Sequence, residues 1–179
     1  MFIDTALKSR AYENVSLPIG FKQTISQPYM VAKMTELLHE TSSMSNVLEI
    51  GTGCGYQTSI LSMLFDKVTT VERINSLYNK SKDRLFSLGF KNITFILGDG
   101  HQGYKKNAPY DAIIVTAAAI QIPKLLIEQL TPSGRLIIPL QMNDGQRLVK
   151  LKKTKNGLIR KIIEEVVFVP MIEGIEFNE

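Results

Sequence analysis

The chain has 179 residues, 44% hydrophobic and 21% charged, the usage of one globular domain with a real core, which excludes disordered, collagen-like and low-complexity classes. A lone cysteine, Cys54, and two histidines, His39 and His101, exclude an internal disulfide and a multi-cysteine zinc site, so no metal is expected. The net charge of +4 is spread along the chain, and the small clusters at Lys105-Lys106 and 150–155 read as solvated surface. No apolar run approaches the ~20 residues of a membrane span, and the first ten residues lack the order of a signal peptide. A soluble cytoplasmic protein without nucleic-acid or membrane partners is therefore expected.

Residues 1–27 read as irregular, broken by Pro18 and Gly20 and followed by Pro28. Met30, Met34, Leu37 and Leu38 lie at helical spacing and predict an amphipathic helix over 29–40, with Lys33, Glu36 and Glu40 facing away. The polar tract 41–46 reads as a linker. Strands are predicted over 47–50, 67–71, 93–97, 111–115 and 135–139. Between them come helices over 57–65, 75–88 (stopped by Gly89) and 123–130, the last with Pro123 in its first turn. The runs at 47–50, 93–97 and 113–115, mostly apolar with Glu49 and Thr94 among them, fit strands buried on both faces.

Strands separated by helices imply a mostly parallel sheet with helices on both faces. After Pro139 the rhythm changes to alternation over 146–153 and 158–169, with Asn156-Gly157 as the turn. This predicts an antiparallel hairpin that closes the sheet edge, all within one α/β domain.

The most informative stretch is Glu49-Ile50-Gly51-Thr52-Gly53-Cys54-Gly55, between the first of these strands and the helix after it. Glycines there let the backbone turn sharply and approach a ligand, and in open α/β sheets ligands bind at the carboxyl ends of strands. A dinucleotide fingerprint would put its third glycine at position 56, which is Tyr56. The pattern present, G-x-G-x-G behind Glu49, is the one associated with S-adenosylmethionine (SAM) methyltransferases. Glu72 ends the next strand, where a carboxylate can take the ribose hydroxyls of an adenosine ligand; a surface pairing with Arg73 is the alternative. Asp99, in Gly98-Asp99-Gly100, can accept from an adenine amino group, with Gly100 allowing close approach. Cys54 reads as a small loop residue rather than a nucleophile. His101 is open between packing near the adenine and starting a helix, and His39 reads as structural or exposed.

Ser26 lies just before the first helix, where it is either a helix cap or a hydroxyl beside an anion held by the helix N-terminus. From here the residues resemble a family. Thr24-Ile25-Ser26-Gln27-Pro28, Leu48 to Gly53, Tyr56-Gln57-Thr58, Val71-Glu72-Arg73 and Gly98-Asp99-Gly100 are similar to the protein-L-isoaspartate O-methyltransferases. So are Ala108 to Ile113, Pro132 to Pro139 and Val167-Phe168-Val169-Pro170. The resemblance covers essentially the whole chain.

The resemblance implies a class I SAM-dependent methyltransferase fold, Rossmann-like. It implies methyl transfer from SAM, leaving S-adenosylhomocysteine, to the α-carboxylate of L-isoaspartyl residues in damaged proteins, and secondarily to D-aspartyl residues. The family's catalytic serine falls on Ser26, with Thr24 beside it. Its cofactor loop falls on Gly51, Gly53 and Gly55, its ribose contact on Glu72 and its adenine contact on Asp99. Ile19-Gly20-Phe21 falls where the family lines its substrate site. Residues 1–28 are expected to cover substrate and cofactor over a core of 29–179. The resemblance also implies a further helical segment ahead of the region where this chain starts.

Two other readings remain at this level. One is a SAM enzyme acting on a nucleic acid or a small molecule, but the position of the expected Asn/Asp-Pro-Pro-aromatic motif reads Thr116-Ala117-Ala118-Ala119. The other is a SAM-binding module without catalysis, against which Ser26 and Thr24 stand.

Overall fold

The computed structural model describes residues 1–39 and 45–177. A 3-10 helix over Thr5–Arg10 leads to strands β1 (Leu17–Gly20) and β2 (Gln23–Ile25) and helix α1 (Pro28–His39). Next come β3 (Asn46–Ile50), α2 (Tyr56–Leu64), β4 (Lys67–Glu72), α3 (Asn75–Ser87) and β5 (Ile93–Leu97). The chain continues through β6 (Tyr110–Val115), α4 (Lys124–Glu128), β7 (Leu130–Met142), β8 (Gly145–Thr154) and β9 (Gly157–Val166). The predicted end of the first helix at Glu40, and 41–44 of the predicted linker, lie outside the described residues.

Seven strands form one sheet in the order β5-β4-β3-β6-β7-β8-β9. The first five are parallel, and β8 and β9 add antiparallel at one edge. The chain winds from β3 outward to β5, then returns to lay β6 on the other side of β3. That reversal makes the carboxyl ends of β3 and β6 the switch point, where the crevice of an open α/β sheet lies. Helices α1 and α2 pack Met34, Leu38, Leu61 and Phe65 on Val47, Val68, Ala112 and Ile114 of one sheet face. Helix α4 sets Leu126 against Leu48, Ile113 and Leu136 on the other.

Several expectations change. Residues 1–27 are not irregular throughout: β1 and β2 form an antiparallel hairpin with Gly20 opposite Gln23. The two residues at its tip, Phe21 and Lys22, both have positive φ, 53° and 56°. A two-residue turn of this hand normally takes Asn or Gly, so the sequence carried no hairpin signal. Strand β5 is only partly buried, with Thr94 exposed, because it stands at the sheet edge. Pro123 caps α4 rather than lying in its first turn, and Leu130 already belongs to β7. Strand β9 stops at Val166, three residues short of the predicted end, and Val167 is exposed. Lys153 is not simply solvated: its ammonium donates to the carbonyls of Ile127 and Leu130 at 3.0 and 2.8 Å, closing the end of α4.

Candidate active site at the sheet switch point

A loop over 51–55 leaves β3 and enters α2. Gly51, Gly53 and Gly55 have φ of 94°, 54° and 87°, backbone that glycine adopts without the Cβ penalty. A Cβ on Gly51 would collide with Thr116 Oγ1, and one on Gly55 would press on Leu85 of α3. The Thr116 hydroxyl reaches the carbonyls of Ile50 and Gly51 at 3.0 and 2.8 Å, and the Gly51 N–H donates to Val71 O at 2.8 Å. The loop is thus pinned from both neighbouring strands.

Two glutamates support it differently. Glu72, at the end of β4, accepts from Gly53 N at 2.8 Å and Ile74 N at 2.9 Å. Burial pushes its carboxyl up, against the backbone N–H groups that favour its charge. Glu49 lies behind the loop and does not line the cavity, since strand alternation sends its side chain to the face opposite Ile50's. It is fully buried, and its Oε2 accepts from Thr58 at 2.5 Å and Thr70 at 2.6 Å. Thr70 in turn receives the Thr52 hydroxyl at 2.6 Å. The other oxygen, Oε1, has no partner among the described residues. Burial pushes this carboxyl up to about 8, against the threonine bonds and helped by the Glu72 charge.

The cavity over the loop is lined by Ile19, Thr24, Ser26, Gly51, Gly53 and Glu72 together with Gly100. So most of the sequence-predicted set converges. Gly55, Asp99, Gly20 and Phe21 lie outside its wall. Gly55 packs α2 on α3 instead, and Phe21 sits at the hairpin tip beneath the Lys80 ammonium, 5.2 Å away. Asp99 is one residue from the wall. Its Oδ1 accepts from the backbone and ring of His101 at 2.8 and 2.9 Å, and its Oδ2 accepts from Gly174 N at 3.0 Å. Burial opposes the Asp99 charge, but the Gly174 and His101 N–H groups and the His101 ring outweigh it and hold the pKa below the ordinary value. His101 therefore takes the helix-start place, in a 3-10 turn that Asp99 caps. Burial pushes the Cys54 thiol up, away from a reactive thiolate, and His39 is exposed.

Ser26 is not the cap of α1. The first helical bond runs from Val31 N to Gln27 O at 3.1 Å, and Asn14 accepts from Tyr29 N at 3.2 Å. The Ser26 side chain has no hydrogen-bond partner among the described residues. A second, wider groove adjoins the cavity, about 490 Å³ against about 110 Å³. Thr24, Ser26, Thr116 and Val169 line both.

Sequence reasoning missed other parts of the wall. Thr116 was noted only for the motif it lacks. Met171 and Ile172 come from the segment after β9, and Arg73 was read only as a pairing partner for Glu72. A positive charge directly after the ribose-type carboxylate was the available signal for Arg73. Nothing in the local pattern pointed to Met171. Among the described residues no cluster of His, Cys, Asp and Glu could hold a metal, and no helix is long and apolar enough to cross a membrane.

Comparison with known proteins agrees with this geometry. A family model described as "Protein-L-isoaspartate(D-aspartate) O-methyltransferase (PCMT)" matches residues 1–176. A protein-L-isoaspartate O-methyltransferase of Pseudomonas aeruginosa (strain LESB58) is 49% identical over 174 residues, 97% of this chain and 82% of the relative. A solved protein-L-isoaspartate O-methyltransferase superposes with TM-score 0.85 at 28% identity, over 94% of this chain; the chain spans only 56% of that protein. A crystal structure from Plasmodium falciparum, described as a putative enzyme of the same name in complex with S-adenosyl-L-homocysteine, gives TM-score 0.79 at 27% identity, over 90% of this chain and 81% of that one. The family model over nearly the full length and a relative 49% identical over 97% of the chain settle the family: the chain belongs to the protein-L-isoaspartate(D-aspartate) O-methyltransferase family.

Proposed function

We infer that this protein transfers the methyl group of SAM to the α-carboxylate of L-isoaspartyl residues in proteins and peptides, with D-aspartyl residues as a second target, and so begins their repair. The carrying observation is the unpaired Ser26 hydroxyl where the smaller cavity over the glycine loop meets the larger groove beside it. The glycine loop and Glu72 in the cavity wall suit a nucleoside donor, and the larger groove beside it leaves room for a chain that must present one carboxylate.

The residues fit SAM. The glycine at 51 holds open space that a Cβ would fill against Thr116, as Gly100 does against Ile50. Each Glu72 oxygen takes one N–H and keeps a lone pair for a ribose hydroxyl. Asp99 Oδ2 likewise keeps a lone pair on the adenine side. Glu49 holds the loop from behind through its threonines. Ile19 lies on the wall between hairpin and loop, and residues 1–28 form the cover over a core of 29–179 in one methyltransferase domain.

When bound, SAM supplies an electrophilic methyl group on a sulfonium. The acceptor carboxylate, with a reference pKa near ~4, is ionised at neutral pH, so the chain needs no general base. Its work is alignment and exclusion of water. The Ser26 O–H donates to one carboxylate oxygen and turns the other toward the donor. Thr24 lies next to it on the same wall and steadies the approach. Closure by the hairpin dries a site in which positive and negative charge are about to cancel, so the low dielectric favours the transition state.

The test uses methyl-labelled SAM and two peptides that differ only in aspartyl against isoaspartyl linkage. The expected product is a base-labile ester on the isoaspartyl peptide alone. Ser26→Ala should lower turnover roughly 10- to 100-fold while leaving SAM affinity within about two-fold. Label in RNA instead would overturn the reading, and equal loss of turnover and SAM affinity would mark Ser26 as an organiser of the loop rather than a group that touches the substrate.

A further inference from the structure

The segment after β9 crosses the carboxyl ends of three strands. Met171 N donates to Ala118 O at 2.8 Å, beyond β6. Gly174 N donates to Asp99 beyond β5 at 3.0 Å. Glu176 then lies along the start of α3: its N–H donates to Arg73 O at 2.8 Å and its carbonyl accepts from Asn75 N at 2.9 Å. Met171 and Ile172 face the cavity beside Glu72 and Gly100.

Beyond Met171, which packs on the core, little apolar burial holds this strap down. Ile172 and Ile175 are 48% and 43% exposed, and Phe177 is 71% exposed. What fastens its far end is polar: the backbone bonds of Gly174 and Glu176 just described, and two contacts to one side chain. Arg73 Nη1 meets Glu176 Oε2 at 2.7 Å, and Arg73 Nε donates to Gly174 O at 3.3 Å. A segment with few buried contacts and a few exposed hydrogen bonds opens at low cost.

We propose that residues 170–176 are a strap latched by Arg73 over the adenosine end of the cavity, and that opening this latch limits release of the spent nucleoside. Arg73 is then a positioning residue, acting through Glu176 and Gly174. The proposal rests on the reading of the cavity as the SAM site. It explains why a cation directly follows the Glu72 carboxylate without bonding to it: Glu176 and the Gly174 carbonyl of the strap take the guanidinium.

The test compares Arg73→Met, Glu176→Gln and the charge-swapped Arg73→Glu/Glu176→Arg protein in two measurements. The first is the dissociation rate of S-adenosylhomocysteine. The second is amide exchange at Asn75 and Glu176 in the ligand-free protein. Each single substitution should raise the dissociation rate about five-fold and speed exchange at both amides. The swapped pair should return the rate to within about two-fold of the parent. Unchanged exchange in both single variants overturns the latch, as does a swapped pair no better than the singles. Failure of the parent protein to bind S-adenosylhomocysteine would remove the SAM reading itself, while the exchange measurement still decides the latch.

Discussion

Glu49→Gln is expected to stabilise the fold at neutral pH. The carboxyl is fully buried, faces no cation, and has one oxygen satisfied only by Thr58 and Thr70 and another with no partner among the described residues. Its pKa rises from 4.5 to about 8 on folding, chiefly through desolvation. Because the folded value is the higher one, the native state holds a proton that the unfolded chain releases. The favourable contribution is therefore complete below about pH 4.5 and is lost as pH rises towards 8. Each unit of this window is worth about 1.4 kcal/mol, so at pH 7 the loss is about 3 kcal/mol. Glutamine presents one acceptor to the threonines and one neutral group to the empty side, as the protonated acid does. Urea unfolding from pH 5 to 8 should show wild-type stability falling more steeply than that of Glu49→Gln. The two proteins should be nearly equal at pH 5 and differ by about 3 kcal/mol at pH 7. Parallel profiles, or a glutamine variant less stable by more than about 1 kcal/mol at every pH, would refute the reasoning. Glu72 also has a raised pKa, and its charge adds to the rise at Glu49; below about pH 8 Glu49 is protonated, so Glu72 meets a neutral group in both proteins.

Gly51→Ala should weaken S-adenosylhomocysteine binding at least about 10-fold by calorimetry, since φ of 94° and the Thr116 hydroxyl both oppose a Cβ. Thr116→Ser, which keeps the hydroxyl, should bind as the parent does. Arg84 on α3 donates to Cys54 O at 2.7 Å, and its guanidinium lies 5.9 Å from the centre of the Phe2 ring, which meets Tyr56 edge-on at 5.3 Å. Arg84→Ala and Phe2→Ala should each weaken S-adenosylhomocysteine binding about 3- to 5-fold. In the double variant the losses should fall short of additive by a factor of about two or more, as for groups that share a contact.

The parallel core was legible because strands buried on both faces leave runs of mostly apolar residues, as at 47–50, interrupted only by Glu49, and at 112–115. The edge strand β5 misled for a related reason: Ile93 to Leu97 is as apolar as a central strand, and only the sheet order reveals that one side has no neighbour. The hairpin over 17–25 was invisible because its tip uses Phe21 and Lys22 where the left-handed turn favours glycine or asparagine. Tertiary contacts, including Lys80 over Phe21, stand in for local preference there.

The candidate site divides the same way. Gly51, Gly53 and Glu72 could be picked out along the chain because each stands at the end of a local element, whereas Ser26 stood out only through the family resemblance. Thr116 and Met171 could not, and Arg73 offered only the sign of its charge, because their contacts join distant parts of the chain: Gly51 and Thr116 lie 65 residues apart, Arg73 and Glu176 103. Local periodicity and turn chemistry are short-range and were fixed by neighbours in sequence. The wall of the cavity, the absence of a capping role for Ser26 and the strap over Asp99 were decided by which strand ends the winding of the sheet brings together, and no short stretch of residues encodes that.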